Sequence, residues 1–122
     1  MPKKKPRTIG IVGSRRRAES EDYRACIAAF EGIYHPGDRI VSGGCPKGGD
    51  RFAERIALDR GLTITIHYPD WKKLGKVAGF ERNTDIAEDC DILIALTADD
   101  RTGGTEDTIK KVLRLGKKVI YV

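Results

Sequence analysis

Five short apolar runs alternate with amphipathic helical patterns along the chain, and this alternation constrains the fold more than any other feature. The runs are rich in β-branched residues, and each of the first four is followed by apolar residues at helical spacing. The fourth run, DILIALT (91–97), is apolar at successive positions, as strands are when both faces of a sheet are covered. Parallel strands joined by right-handed helical crossovers carry helices on both faces. The sequence therefore predicts an α/β protein, a single small Rossmann-like domain with a parallel sheet of about five strands and helices on both faces.

The boundaries follow from the same periodicities. The strands are expected within TIGIVG (8–13), DRIVSGG (38–44), LTITIHY (62–68), DILIALT (91–97) and KKVIYV (117–122). The helices are expected within ESEDYRACIAAFEGI (19–33), DRFAERIALDRG (50–61), ERNTDIAEDC (81–90) and TEDTIKKVLRLG (105–116). Asp50 and Thr105 are placed to cap the second and fourth helices, whereas PDWKKLGKVAGF (69–80) reads as irregular.

Length and composition indicate one domain over residues 8–122, preceded by a basic flexible tail over residues 1–7. The 122 residues fit one hydrophobic core, and no apolar run approaches the roughly 20 residues of a membrane span. The three cysteines are far apart and only two histidines are present, so no disulfide framework and no zinc site is expected. These features favour a cytoplasmic protein without membrane contact. The net charge of +5 comes largely from the tail, which is expected either to contact nucleic acid or to be a solvated arm.

Glycine-rich loops follow three of the predicted strands. The carboxyl ends of parallel strands meet at one edge of a sheet, where ligands bind in open α/β folds. Glycine lets a ligand approach backbone N–H groups closely, and a helix N-terminus favours an anion. Neither the GxGxxG nor the GxxxxGKS/T phosphate-binding pattern is present. We expect the ligand contacts in these loops to be Gly13, Ser14, Arg15, Ser42, Gly43, Gly44, Lys47, Gly48, Gly49, Asp50, Gly103, Gly104 and Thr105.

Five segments resemble, in order, the YspA-like (YAcAr) family of the SLOG superfamily. They are GSR, SGGCPKGGDRFAERIALDRG, YPDWKKLGKVAGFERN, DILIAL and GGTEDTI, and the resemblance covers residues 9–122. The superfamily also contains DNA-processing protein A and the cytokinin-activating phosphoribohydrolases, once called lysine decarboxylases. The resemblance implies a Rossmann-like fold that binds a nucleotide or nucleotide-derived ligand at the strand ends.

The phosphoribohydrolases suggest an enzymatic alternative. Their signature couples an arginine in an ERK-like segment to the glutamate of PGGxGTxxE. FERNTDIAEDCDILIAL is similar to the first segment, which places Arg82 at the arginine position and Asn83 where lysine is usual. Aligned on Gly104 and Thr105, the glutamate position falls on Thr108, so Asp107 or Glu106 would have to supply the carboxylate. The resemblance thus implies Arg82, Asp107 and Glu106 as catalytic residues of a nucleotide N-glycoside hydrolase.

The main expectation is binding of a nucleotide-like small molecule, as a sensor or accessory protein. Arg82 and Asn83 are assigned to ligand contact, and Trp71 is expected to stack on a nucleobase or to cover the edge of the core. Arg16 is expected to be solvated. No cofactor is expected, with Mg²⁺ at the acidic residues of 99–107 left open. A DNA-binding function related to DNA-processing protein A is the other alternative, and a homodimer is the expected assembly.

Overall fold

Five parallel strands form one sheet in the computed structural model, which describes residues 5–122. The strands are β1 (Thr8–Gly13), β2 (Arg39–Ser42), β3 (Ile64–Ile66), β4 (Ile92–Leu96) and β5 (Lys118–Tyr121). Their order across the sheet is β3-β2-β1-β4-β5, so the direction of winding reverses between β1 and β4. The predicted α/β class and Rossmann-like architecture are confirmed.

Helices cover both faces of the sheet. They are α1 (Ser20–Ile33), α2 (Gly49–Arg60), the one-turn α3 (Trp71–Leu74), α4 (Ala78–Asp89) and α5 (Gly104–Arg114). On one face, α1 and α2 bury side chains such as Phe30 and Ile56 against the sheet. On the other, α4 and α5 bury Ile86 and Val112.

Strand β4 shows why its sequence is continuously apolar. Ile92, Ile94 and Leu96 pack in the core beneath α1 and α2, whereas Leu93 and Ala95 pack in the core beneath α4 and α5. Every residue of the strand is buried. A central strand covered on both faces leaves no position for a polar side chain.

The segment 69–80, expected to be irregular, is largely helical. It contains α3, a 3-10 turn over Gly75–Val77 and the beginning of α4 at Ala78. The Asp70 carboxylate accepts a hydrogen bond from the Lys73 N–H at 3.1 Å and so caps α3. The apolar periodicity missed these elements because the turns are short and α3 and the 3-10 turn bury no residue.

The expected N-caps of α2 and α5 were also wrong. Gly48 and Gly103 occupy the cap positions, and both have the positive φ values, 76° and 103°, that favour glycine. Asp50 and Thr105 lie one residue inside the first helical turn instead. Their side chains are therefore placed for contacts other than capping.

Arg7, which the sequence assigned to the flexible tail, is attached to the domain. Its N–H and guanidinium donate to the Asp38 carboxylate at 2.9 and 3.1 Å. Residues 1–4 of the predicted tail lie outside the described residues. Within residues 5–122, no helix combines the length and the apolar character that a membrane crossing requires.

Candidate functional site

A cavity of about 600 Å³ lies at the carboxyl ends of the strands, where the winding reverses. The loops after β1, β2, β3 and β4 all contribute to its wall, together with α4. This is the place at which open α/β sheets bind ligands. The predicted ligand contacts that line it are Gly13, Ser14, Arg15, Gly43, Gly44, Asp50, Trp71, Arg82, Asn83, Gly103, Gly104 and Thr105.

Two predicted ligand contacts, Ser42 and Gly49, lie outside the cavity and serve packing instead. The buried Ser42 hydroxyl donates to the Ile11 carbonyl at 2.6 Å, which ties β2 to β1. A Cβ on Gly49 would lie 2.4 Å from the Val12 carbonyl carbon, so α2 begins in direct contact with the backbone of β1. Sequence alone does not separate a glycine that admits a ligand from one that admits another strand.

Lys47 and Gly48 also lie outside this cavity, in a neighbouring groove. Gly48 has φ +76°, and a Cβ there would lie 2.3 Å from the Ser14 carbonyl oxygen. Glycine is therefore required here by the positive φ and by the close approach of the two loops, independently of any ligand.

Arg82 extends from α4 to the loop after β2. Its Nη1 donates to the Gly43 carbonyl at 2.5 Å, and its Nε donates to the Asn83 side-chain oxygen at 2.9 Å. A Cβ on Gly43 would lie 2.4 Å from that Nη1. The absence of a side chain at Gly43 thus leaves the space that the guanidinium occupies.

Asp50 is the one acidic residue among the described residues that line the cavity. It is 6% exposed, accepts the Cys45 N–H at 3.1 Å, and lies 3.9 Å from Arg82 Nη1. Burial raises the pKa of its carboxyl group, and the hydrogen bond from Cys45 and the charge of Arg82 oppose this rise only in part. The cavity therefore contains a carboxyl group that is more readily protonated than an ordinary aspartate.

The two carboxylates expected to act with Arg82 are directed elsewhere. Asp107 accepts from the Asn83 amide at 3.1 Å and pairs with Lys111 at 2.9 Å, while Glu106 pairs with Arg101 at 2.9 Å. Neither residue lines the cavity. Both form part of the surface of α5, so their predicted catalytic role is not supported.

Thr108, at the glutamate position of the hydrolase pattern, does line the cavity. Its side chain is buried, and its hydroxyl donates to the Gly104 carbonyl at 3.3 Å. The rotation of about 100° per helical residue explains why the neighbouring Asp107 is directed toward α4 instead. The cavity thus has a hydroxyl group where the hydrolase pattern has a carboxylate.

Aromatic side chains form the end of the cavity nearest β3. Tyr68 and Trp71 line it and are 67% and 57% exposed. A Cβ on Gly44 would lie 2.5 Å from the Tyr68 ring, which therefore rests on the glycine backbone. Sequence reasoning missed Tyr68, although its place directly after a strand, at the same edge as the glycine loops, was a usable signal.

Arg16 is exposed to solvent, as expected, and it also lines the opposite end of the cavity. Its guanidinium donates to both Asp100 carboxylate oxygens at 2.9 and 2.8 Å and to the Thr102 hydroxyl at 3.1 Å. These contacts hold the pKa of Asp100 well below its usual range. Within residues 5–122, no group of three or more Asp, Glu, His or Cys side chains is arranged to hold a metal ion.

Two solved structures are similar to this chain. DNA processing protein A (DprA) from Streptococcus pneumoniae has 23% sequence identity and a TM-score of 0.75, over 95% of this chain and 50% of that chain. The structural-genomics target TM1055 has 17% identity and a TM-score of 0.65, over 93% of this chain and 72% of that chain. The chain shares their fold. No protein-family model matches the sequence, and a search of curated proteins gives no match.

At 23% and 17% identity these similarities show the fold alone, and it is the Rossmann-like fold that the sequence predicted. The chain spans half the length of the DprA chain that it matches. What DprA does as a whole therefore does not transfer to this shorter chain.

Proposed function

We propose that the cavity binds a nucleotide or nucleotide-derived ligand, and that the chain acts as a sensor or accessory protein. The observation that carries this proposal is the composition of the cavity wall at the reversal of strand order. Three arginines, three glycine-rich loops and two exposed aromatic side chains converge there, with one carboxyl group among the described residues. A volume of about 600 Å³ is within the range of small-molecule sites.

The phosphate is assigned to the end formed by the loops after β1 and β4. Helix α5 begins there at Gly104, and the first N–H groups of a helix favour an anion. Ser14, Arg15 and Arg16 line the same end. A hydroxyl group and two guanidinium groups beside a helix N-terminus are donors suited to phosphate oxygens.

The base is assigned to the end formed by Tyr68 and Trp71. Both residues are more than half exposed in the cavity wall. Large aromatic side chains are on average more buried than this. An exposed aromatic face is suited to stacking on a nucleobase, which is worth about 1–3 kcal/mol per base. The ligand would then extend across Gly43 and Arg82, which lie between the two ends.

N-glycoside hydrolysis has weaker support than binding. Asp107 and Glu106 are engaged outside the cavity, and Asp50 is the acid that remains inside it. A free base released from AMP on long incubation, measured by chromatography, would restore that alternative. We expect no release.

Ligand-induced thermal stabilisation tests the proposed function. Ligand at 100 times its Kd adds about 2.7 kcal/mol to the free energy of unfolding, which raises the melting temperature by several degrees. We expect such a shift with at least one of AMP, ADP, ATP and ADP-ribose, and a loss of the shift in Arg82→Gln. Arg24→Gln, at an exposed position of α1, is the control with the same change in charge. The absence of any shift at millimolar ligand would contradict the proposal.

The orientation of the ligand is tested with Trp71→Ala. We expect this variant to bind AMP about tenfold more weakly while its response to inorganic phosphate stays unchanged. Phe80→Ala is the matched control, because Phe80 is 56% exposed and does not line the cavity. Equal losses in both variants would mean that Trp71 does not contact the base.

A further inference from the structure

A basic groove of about 710 Å³ continues from the phosphate end of the cavity. It lies between the loops after β1 and β2 and the first turns of α2. Five cationic side chains line it against one acid, Glu19; the cations are Arg15, Arg16, Lys47, Arg51 and Arg55. The groove and the cavity share Arg15, Arg16 and Pro46, so the two form one continuous surface.

The cations of the groove differ in how they are engaged. Arg16 is paired with Asp100, and the Arg55 guanidinium lies over the Tyr23 ring at 4.0 Å from its centroid. Lys47 and Arg51 form no ion pair with any of residues 5–122. Like charges gathered without counter-charges repel one another, and an anion between them removes that repulsion.

The floor of the groove adds a second attraction for an anion. Gly48 and Phe52 line it, and α2 begins between them, at Gly49. The first N–H groups of α2 are at this end of the helix, and its partial positive charge adds to that of Lys47 and Arg51. The groove shares no lining residue with the aromatic end of the cavity.

We propose that the ligand is a nucleoside polyphosphate, with its first phosphoryl group in the cavity and the next ones in the basic groove, at Lys47 and Arg51. This inference rests on the proposed function, because it extends the ligand from the assigned phosphate end. The groove begins at Arg15 and Arg16, where that phosphate lies, and leads away from the assigned base. A chain of phosphoryl groups is the extension whose negative charge complements the five clustered cations.

Binding of AMP, ADP and ATP, measured by calorimetry in EDTA, tests the inference. We expect ADP and ATP to bind at least tenfold more tightly than AMP. A gain in affinity of about this size corresponds to one additional charge-assisted hydrogen bond. In Lys47→Gln/Arg51→Gln the ratio of the AMP and ADP dissociation constants should fall to about one. Arg24→Gln/Arg114→Gln removes the same charge from exposed positions of α1 and α5 and should keep the ratio.

The outcomes separate the inference from the proposed function. If AMP, ADP and ATP bind equally well, the inference is wrong and the proposed function stands. If none of the three binds, the proposed function fails, and the inference with it. If ADP and ATP show no advantage but a single-stranded oligo-dT binds and loses affinity in the Lys47/Arg51 variant, the groove accepts nucleic acid and the inference is overturned.

Discussion

Two buried aspartates lie at opposite ends of β2, and the pKa values of their carboxyl groups are shifted in opposite directions. Asp38 precedes the strand and is 4% exposed, and Asp50 follows it in the first turn of α2 and is 6% exposed. Asp38 accepts hydrogen bonds from the Arg7 N–H, the His35 N–H and the Arg7 guanidinium. Asp50 accepts a hydrogen bond from the Cys45 N–H.

The difference is visible in the two pKa values. Burial acts on Asp38 as well, but its three donors and the charge of Arg7 outweigh burial and lower the pKa of its carboxyl group. Burial dominates at Asp50 and raises the pKa. One end of the sheet therefore has a carboxylate that is fully compensated by Arg7, whereas the cavity end keeps imperfectly compensated charges. Such charges in a cleft are typical of functional sites.

Asp38→Ala tests the compensated end and should have the largest effect. Removal of the carboxylate leaves two backbone N–H groups without an acceptor and Arg7 without its partner. We expect a loss of about 3 kcal/mol in the free energy of unfolding, measured by urea titration. Asp91→Ala is the control, because exposed Asp91 accepts one bond, from the Thr8 N–H, and should cost less than about 1 kcal/mol. Equal costs would show that the Asp38 pair does not stabilise this end.

Gly43→Ala tests the cavity end, where binding is expected to suffer more than stability. The added methyl group would displace Arg82 Nη1 and break its bond to the Gly43 carbonyl. We expect nucleotide binding to weaken about tenfold, measured by calorimetry. Gly32→Ala, in open space on α1, should leave binding unchanged and add about 0.5–1 kcal/mol of stability. Unaltered binding in Gly43→Ala would mean that the position of Arg82 is not important for the ligand.

The architecture was predictable because it depends on repeated patterns. Strand β4 is covered on both faces, and its five successive apolar residues indicate this burial in the sequence. The loops that follow the strands were predictable for the same reason, since parallel topology brings their ends to one edge. Most glycines named from the sequence do line the cavity. The short turns of 69–80 carry no repeat long enough to be recognised.

The roles of single side chains were less predictable, because they depend on rotation and on partners distant in sequence. Asp107 and Thr108 are adjacent in the chain, but only Thr108 lines the cavity. Gly49 is indistinguishable from Gly43 in a glycine-rich segment, although it contacts a backbone and not Arg82. Arg16 lines the cavity and pairs with Asp100, a partner far along the chain that the sequence does not reveal.

The pH dependence of stability should show the contrast between the two aspartates directly, with the smallest of the three effects. The raised pKa of Asp50 means that the folded state holds this proton more firmly than the unfolded state does. Its contribution to stability is therefore present at low pH and is lost as the pH rises from about 3.9 through the folded pKa. The lowered pKa of Asp38 gives the opposite sign: its contribution is present above about pH 3.9 and is lost as the pH falls through the folded pKa.

Asparagine variants separate these two contributions, since they keep a side-chain oxygen as an acceptor. As the pH rises from 4 to 7, Asp50→Asn should gain stability relative to the unchanged chain, because the variant lacks the carboxyl group that must ionise. As the pH falls from 4 to 2, Asp38→Asn should lose less stability than the unchanged chain does. Urea titrations at each pH measure both differences. The difference in the free energy of unfolding between Asp50→Asn and the unchanged chain could instead stay constant with pH. In that case the Asp50 carboxylate is as well compensated as that of Asp38, and the two ends of the sheet do not differ electrostatically.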